Sequence, residues 1–350
     1  MKQVTLKDIA KEAGVSITAV SKALAGHPDI SEATKLRIRE ICDRRNYIPN
    51  ANAAFLRRRR TNLIGVVVPD FSNPFFAEML KNVERVLTER GFSMLIFNTN
   101  DEKETERRCI NELRGIHVEG ILITPASEQN LKLIRDAGIA YVVAARPVDD
   151  EESSVVAADE EYAAYLATNE ILVRNEDANC YLLGPREEIH SFRKKIVGYR
   201  RALSEHGTTE VEASIINNVY SNRDGYEVAG RLLADSKLPI AFLCESDFIA
   251  IGVVKRLSEE GVRIPEQAVV IGMDNLEIFD YARPLLTTVD IQTEVIAQKS
   301  VELLLRKIEH RGTPSDPEPK KEGASELRTR NDMRPDRIIL EPHVVSRETS

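Results

Sequence analysis

The sequence predicts an α/β protein in which a small all-helical head precedes a larger domain of two lobes, each built on a parallel sheet. Residues 1–60 hold 13 of the 48 Lys and Arg residues but only 6 of the 56 Asp and Glu residues, so a basic head precedes an acidic body. In this head, apolar residues recur at helical spacing and glycines end the helical segments. From residue 63, apolar runs of strand length alternate with helical stretches. We therefore expect domains over 1–48 and 61–350, joined by a linker over 49–60.

The head reads as three short helices. Thr5 is a plausible N-cap, and the helix after it should end at Gly14, because glycine adopts the left-handed conformation at little cost. Ser16 then caps a second helix over 17–25, and Ser31 opens a third that ends near residue 46. A helix, a short turn with glycine and a second helix form the helix-turn-helix, which lays its second helix in the DNA major groove.

Side chains on that second helix suit contacts with DNA. Lys22 is suited to guanine O6 and N7, while Ile17 and the methyl group of Thr18 suit thymine methyl groups. Hydroxyl groups in the head, among them Ser21, are candidates for phosphate contacts. A three-helix bundle with solvated polar faces remains an alternative from the pattern alone.

The motifs of the head and of the region after it resemble those of the LacI/GalR family of bacterial repressors. The matching segments are 4–16, 18–24, 47–50, 64–69 and 73–76. The resemblance covers nearly the whole chain apart from an insertion near its end. It implies a periplasmic-binding-protein-like large domain whose chain crosses between the lobes three times, and a dimer on a palindromic operator.

The linker is short, rich in alanine and too short to be a stable helix alone. The resemblance implies that this hinge folds on the operator, where Leu56 would wedge between central base pairs, Ala53 would permit close approach and Arg57–Arg60 would contact phosphates. A flexible basic linker is the alternative. The DNA contacts expected in all are Thr5, Leu6, Ser16, Ile17, Thr18, Ser21, Lys22, Asn50, Ala53 and Leu56.

The large domain begins with apolar runs that suit buried parallel strands. Those in the body are expected at 63–68, 93–97, 120–124, 141–145, 180–183, 240–244 and 269–273, with a last strand at 337–340. A helix over 293–308 should cover a lobe, and 312–336 reads as a mobile insertion. Ligands of such sheets bind beyond the carboxyl ends of the strands.

Several residues follow those strand ends. Phe71 and Asn73 follow the first strand, and Phe75 or Phe76 offers an aromatic face to a ligand, with the core as the alternative place for both rings. The resemblance assigns Asp274 to a position where a carboxylate accepts hydrogen bonds from ligand hydroxyl groups. Asp247 suits either a ligand contact or a helix cap. The effector contacts expected are Phe71, Asn73, Phe75, Arg146, Lys195, Ser246, Asp247 and Asp274.

Three positions depart from the family pattern. Lys195 stands where the family usually has an arginine, Ser246 where asparagine is common, and Ala145 where aspartate is frequent. Lysine keeps the charge but loses the planar fork of arginine. Together these departures weaken the case for an ordinary neutral sugar. A sugar or sugar derivative remains the expected effector, and a smaller, differently hydroxylated or anionic ligand, a protein corepressor or no effector at all remain open. Arg146 and Lys195 suit a carboxylate or phosphate, or a solvated salt bridge.

Other classes of protein are disfavoured. The sequence has no Gly-rich phosphate loop, no nucleophile elbow and no histidine spacing typical of a metal site, so we expect no catalytic residues, no metal and no cofactor. A binding protein for transport would need a signal segment, which the first residues do not resemble. An architectural DNA protein would discriminate poorly between sequences. The expectation is a cytoplasmic homodimer that binds double-stranded DNA and no membrane.

Overall fold

A computed structural model describes residues 4–24, 26–47, 61–175, 178–207, 214–312 and 335–350. The chain divides into two compact units, Met1–Thr61 and Asn62–Ser350. Three predicted DNA contacts, Asn50, Ala53 and Leu56, lie outside the described residues, as does nearly all of the predicted insertion. No helix that the structure describes combines the length and apolarity needed to cross a membrane.

The first unit contains three helices, α1 (Leu6–Ala13), α2 (Ile17–Leu24) and α3 (Glu32–Arg44). The carboxylate of Asp8 accepts hydrogen bonds from the backbone N–H and the hydroxyl of Thr5, and the hydroxyl of Ser16 accepts one from the N–H of Ala19. Gly14 ends α1 in the left-handed region with a φ of 66°. These contacts satisfy helix ends that would otherwise lack partners.

The core of this unit is small and apolar. Ile9, Val20 and Ile38 contribute one buried side chain from each helix, and Cys42 is also buried. Leu36, although apolar and on α3, is 58% exposed. The register of α3 is set by Ile38 and Ile41, and position 36 lies outside the face that they form.

The first lobe of the second unit is built on six parallel strands in the order β11-β5-β4-β3-β1-β2. These strands are β1 (Leu63–Val68), β2 (Ser93–Asn98), β3 (Gly120–Ile123), β4 (Ala140–Ala145), β5 (Val155–Ala158) and β11 (Arg337–Leu340). Helices α4 (Pro74–Glu89) and α11 (Thr293–Gly312) share one apolar cluster, and α5 (Lys103–Ile116) and α6 (Glu128–Asp136) share another. Both faces of the sheet are therefore covered, as parallel sheets require.

The second lobe has six strands in the order β12-β10-β9-β8-β6-β7, of which only β12 runs antiparallel to its neighbour. They are β6 (Asn179–Leu183), β7 (Ile215–Ile216), β8 (Ile240–Cys244), β9 (Ala268–Met273), β10 (Thr287–Asp290) and β12 (His343–Val345). Helices α7 (Glu160–Arg174) and α8 (His190–Glu205) contribute to one apolar cluster, and α9 (Asn222–Asp235) and α10 (Asp247–Glu259) to the other.

The chain crosses between the lobes three times, after β5, after β10 and after β11. The N–H of Asp159 donates to the carbonyl of Leu340 over 2.9 Å, and the side chain of Gln292 donates to the carbonyl of Glu341 over 2.7 Å, so the crossings are joined to one another. All eight predicted strands are present, while β5, β7, β10 and β12 were not predicted. The predicted fold class, an α-helical head followed by two parallel-sheet lobes, is confirmed.

Candidate effector cleft and DNA-binding helix

The strands of the two lobes end at a cavity of about 500 Å³. From the first lobe, Asp70, Asn73 and Arg146 follow strand ends; from the second, Glu245 and Asp274 do so. This position agrees with the general rule that ligands of parallel sheets bind beyond the carboxyl ends of the strands. The cavity is therefore the candidate effector cleft.

Six of the eight predicted effector contacts line this cleft. They are Asn73, Phe75, Arg146, Lys195, Ser246 and Asp274. The side-chain oxygen of Asn73 also caps α4 by accepting from the N–H of Phe75, and the Phe75 and Phe76 rings pack edge to face with centroids 4.9 Å apart. Both rings are largely buried and both line the cleft, so the two roles that the sequence left open are compatible.

Phe71 and Asp247 are not among the residues that line the cleft. The side chain of Phe71 is 54% exposed. Asp247 is buried at the start of α10, where its carboxylate accepts from the hydroxyl of Thr288 and the N–H of Leu276. The cap of this helix is Ser246, whose hydroxyl accepts from the N–H of Ile249, so the cap role expected for Asp247 is wrong. These bonds hold the loop that carries Asp274, so Asp247 positions the cleft from beneath. Burial raises the pKa of Asp247 to about 7 despite the hydrogen bond from Thr288.

Four charged residues at the second-lobe side form a group that we call the Lys195 cluster: Glu160, Lys195, Glu245 and Asp274. The Nζ of Lys195 lies 2.9 Å from Glu160 Oε2 and 3.2 Å from Glu245 Oε1. Burial lowers the pKa of Lys195, but the charges of Glu160 and Glu245 outweigh it and raise the pKa overall. Burial raises the pKa of Glu160, and the neighbouring lysine partly offsets that rise.

Asp274 is the most unusual member of the cluster. Its backbone has a φ of 107°, in a region that side-chain-bearing residues seldom adopt, and Asn275 and Ala145 also have positive φ. Its side chain makes no hydrogen bond or ion pair with any residue that the structure describes. Burial, together with the charge of Asp247, raises the pKa of this carboxyl well above its usual range. Backbone strain of this kind concentrates at functional sites.

The close packing of α7 and α8 brings Lys195 to Glu160. A methyl carbon at Gly198 would lie 1.9 Å from the carbonyl oxygen of Glu161, so only glycine permits this approach. Because Lys195 lies three residues before Gly198 and Glu160 lies one residue before Glu161, the contact fixes the buried ion pair. The sequence analysis considered Lys195 as a ligand contact and did not predict its ion pair with Glu160.

On the first-lobe side, Arg146 is already paired. Its Nη1 donates to Asp101 over 2.7 Å and to the carbonyl of Pro125 over 2.9 Å. This salt bridge is partly buried rather than solvated, and a ligand contact by Arg146, which also lines the cleft, stays a prediction. Sequence reasoning missed Asp101, Glu160 and Glu245, although all three follow strand ends and the same rule would have nominated them. It also missed the exposed ring of Tyr220.

In the first unit, the predicted DNA contacts that are described lie on or beside α2 and at the start of α1. Ile17 is 47% exposed, unusual for a large apolar side chain, and Thr5, Ser16 and Thr18 are exposed as well. Leu6, Ser21 and Lys22 are partly exposed. Lys22 forms an ion pair with Asp29, which is also 2.9 Å from His27 Nδ1. The side chains of Thr5 and Ser16 serve at helix starts.

Two family models match the chain. The model of bacterial regulatory proteins of the lacI family matches residues 5–50, and that of periplasmic binding proteins and the sugar binding domain of the LacI family matches residues 61–326. Catabolite control protein A of Priestia megaterium is 30% identical over 288 residues, which are 82% of this chain and 87% of that protein. The repressor PurR of Vibrio atlanticus is 32% identical over 307 residues, 87% of this chain and 92% of that protein.

Solved structures give the same result for the fold. The lac repressor dimer bound to operator and the anti-inducer ONPF superposes with a TM-score of 0.83 at 21% identity, covering 99% of each chain. The CelR regulator in complex with cellobiose has a TM-score of 0.69 at 25% identity, covering 99% of this chain and 100% of that one. The relatives are transcription regulators rather than enzymes. Among the residues that the structure describes, no group of His, Cys, Asp and Glu is arranged to hold a metal ion.

Proposed function

The chain belongs to the LacI family of bacterial regulatory proteins, and from this premise we propose that it represses transcription by binding a palindromic operator as a homodimer. The observation that carries this proposal is the exposed start of α2, with Ile17 and Thr18 free to meet base edges on a helix whose other face is buried. Two heads related by two-fold symmetry would read the two halves of the palindrome.

The predicted DNA contacts of the head divide in this proposal into those that read bases and those that contact phosphates. Ile17 and Thr18 contact thymine methyl groups, and Lys22 donates to guanine after leaving Asp29. Ser21 and the exposed hydroxyls of Thr5 and Ser16 contact phosphates, which position the head without reading the sequence, and Leu6 lies beside them at the start of α1. The basic head supplies the attraction to the polyanion.

Residues 49–60 act in the proposal as the hinge between a head of 1–48 and a body of 61–350. Asn50 and Ala53 lie at the minor groove and Leu56 enters between base pairs, which bends the duplex and permits further backbone contacts. The support for this part is the family match of residues 5–50, which reaches Asn50 at the start of the hinge, and the run of four arginines at 57–60. A segment ordered only on DNA is a suitable switch, because small shifts in the body then change its stability.

A small molecule in the cleft provides the control. It would change the angle between the lobes at the three crossings and so permit or prevent ordering of the hinge. The match of residues 61–326 to the sugar binding domain of the LacI family and the similarity to the CelR regulator in complex with cellobiose favour a sugar or sugar derivative as its class. Asn73, Phe75, Arg146, Lys195, Ser246 and Asp274 are the proposed contacts. Because the operator is chromosomal, the protein acts in the cytoplasm.

The test is recovery of DNA. Purified full-length protein is mixed with sheared genomic DNA of its source, and retained fragments are sequenced. The proposal predicts enrichment of an inverted repeat, preferred over unrelated DNA by at least about a thousandfold, and a complex of two protein chains per site by sedimentation. No enriched sequence, or one chain on a single half-site, would contradict it.

A further inference from the structure

We propose that the molecule bound in the cleft is a polyhydroxylated compound that carries a protonated amine, of the chemical class of the amino sugars. The inference rests on the proposed function, which it deepens by naming the ligand class. The juxtaposition that carries it is a buried, unpartnered carboxylate, Asp274, beside a lysine whose charge two other carboxylates already neutralise.

The lining of the cleft has an excess of negative charge. Three cationic side chains, Arg146, Arg186 and Lys195, contribute to it. The carboxylates are twice as many: Asp70, Asp101, Glu102, Glu160, Glu245 and Asp274. With all six carboxyls ionised, the lining has a formal excess of three negative charges, which attracts a cation and repels a phosphate or carboxylate.

Two cations of the cleft, the buried Lys195 and the partly buried Arg146, are already paired and are not available to an anionic ligand. Lys195 contacts both Glu160 and Glu245, and Arg146 contacts Asp101 and the carbonyl of Pro125. Binding an anion through Lys195 would first leave the buried carboxylate of Glu160 without its counter-charge, which is costly, and binding one through Arg146 would break its pair with the partly buried Asp101. Arg186 makes no ion pair with any described residue, but it is exposed, where a charge contributes little.

Asp274 is where a ligand cation would be stabilised most. Its side chain is 8% exposed, lines the cleft and lacks any hydrogen-bond donor among the described residues. A buried carboxylate without a donor is unfavourable, and an ammonium group supplies both the charge and the N–H bonds.

The other residues that line the cleft favour a ligand that carries several hydroxyl groups. Carboxylate oxygens accept hydrogen bonds and donate none when ionised, so a donor-rich ligand fits them. Phe75 and the exposed ring of Tyr220 offer apolar faces on which the C–H face of a sugar ring can pack. A volume of about 500 Å³ lies within the usual range for small-molecule sites and accommodates a ligand of one or two sugar rings.

The experiment compares matched triples of ligands on the full-length protein. Glucosamine, galactosamine and mannosamine are each set against the neutral hexose and its 6-phosphate, by thermal shift and then by titration calorimetry at pH 7. At least one amine should bind ten or more times more tightly than its neutral partner, and the phosphates should bind weakest. If no amine binds, or if a neutral or phosphorylated member binds as tightly as its amine, the proposal is wrong.

Variants locate the effect. Asp274→Asn should weaken binding of the preferred amine at least thirtyfold, and because asparagine has nearly the same shape as aspartate, the variant should fold. Asp235→Asn, at the exposed end of α9, is the matched control and should leave the affinity unchanged. An equal affinity in wild type and Asp274→Asn would overturn the assignment.

Failure here is distinct from failure of the proposed function. If a neutral or phosphorylated sugar binds more tightly than its amine and changes operator affinity, the proposed regulatory function is supported and the proposed amine class is wrong. If genomic selection recovers no inverted repeat, the proposed function falls whatever the ligand panel shows.

Discussion

The head and the cleft carry opposite net charge, and their ion pairs differ in exposure to solvent. In the head, the proposed DNA-reading residues are exposed or partly exposed, and Lys22 pairs with Asp29 where both side chains are more than 40% exposed. In the cleft, Lys195 and Glu160 pair with side chains only 6% and 5% exposed. Exposed charge is screened by salt and is easily rearranged, whereas buried charge is fixed by its partners. We therefore expect the head to respond to ionic strength and the cleft to the loss of single groups.

The largest expected effect follows from removing the buried cation. Lys195→Met leaves Glu160 without its counter-charge, and breaking such a buried pair costs on the order of 4 kcal/mol in the free energy of unfolding. Denaturant unfolding at pH 7 measures it. The control, Lys22→Met, breaks the exposed pair in the head and should not change stability measurably. Equal losses in the two variants would remove the distinction between head and cleft.

The loss in Lys195→Met should depend on pH. Burial already raises the pKa of Glu160, and without Lys195 the pKa rises further. A carboxyl whose folded-state pKa is raised destabilises the fold at pH values above its unfolded pKa, and the penalty disappears as the pH falls to that value. The stability difference from wild type should therefore shrink from pH 7 towards the ordinary glutamate value of 4.5. A difference independent of pH would contradict this origin.

The second effect concerns the packing that places the pair. Gly198→Ala forces a methyl group against the carbonyl of Glu161, and overpacking against backbone costs about 3 kcal/mol. Gly115→Ala is the matched control, because that helical glycine has open space around it and a negative φ, so alanine should be neutral or slightly stabilising. Thermal melts measure the stability of both variants. An unchanged melting temperature for Gly198→Ala would contradict this prediction and show that α7 and α8 can move apart at little cost.

The third effect belongs to DNA binding. Leu56→Ala removes the proposed wedge and should reduce operator affinity about a hundredfold, which corresponds to a few kcal/mol for one unstacked step. Binding of the cleft ligand should be unchanged, because the substitution lies outside the body. Fluorescence anisotropy at fixed salt checks the first part and calorimetry the second. Unaltered operator affinity would leave the basic linker as the better description of residues 49–60.

The smallest effects test the exposed pair. Lys22→Ala should weaken operator binding about tenfold and relax the preference at one base pair per half-site. Asp29→Asn frees Lys22 and removes a negative charge near the phosphates, so it should strengthen binding to every sequence about threefold at low salt and less at high salt. An equal loss on all sequences for Lys22→Ala would make Lys22 a phosphate contact.

Sequence reasoning predicted the strands that are long and buried, because burial requires a continuous run of apolar residues. Strands such as Leu63–Val68 and Ile240–Cys244 are continuous apolar runs, whereas β7 has two residues and β10 reads Thr-Thr-Val-Asp, so neither has a detectable pattern. The cleft followed from the strand-end rule and the family resemblance. The pairing of Lys195 with Glu160 and Glu245 did not, because it depends on residues distant in sequence and on close helix packing at Gly198.

The central claim is that the cleft controls the head, and linkage tests it most directly. The operator dissociation constant of the full-length protein is measured without and with a saturating amount of whichever compound the panel shows to bind, and the compound's own constant without and with operator. The account predicts a change of at least about fivefold in both, by the same factor, because coupling between two sites is reciprocal. Two constants that remain unchanged while the compound occupies the cleft would contradict it.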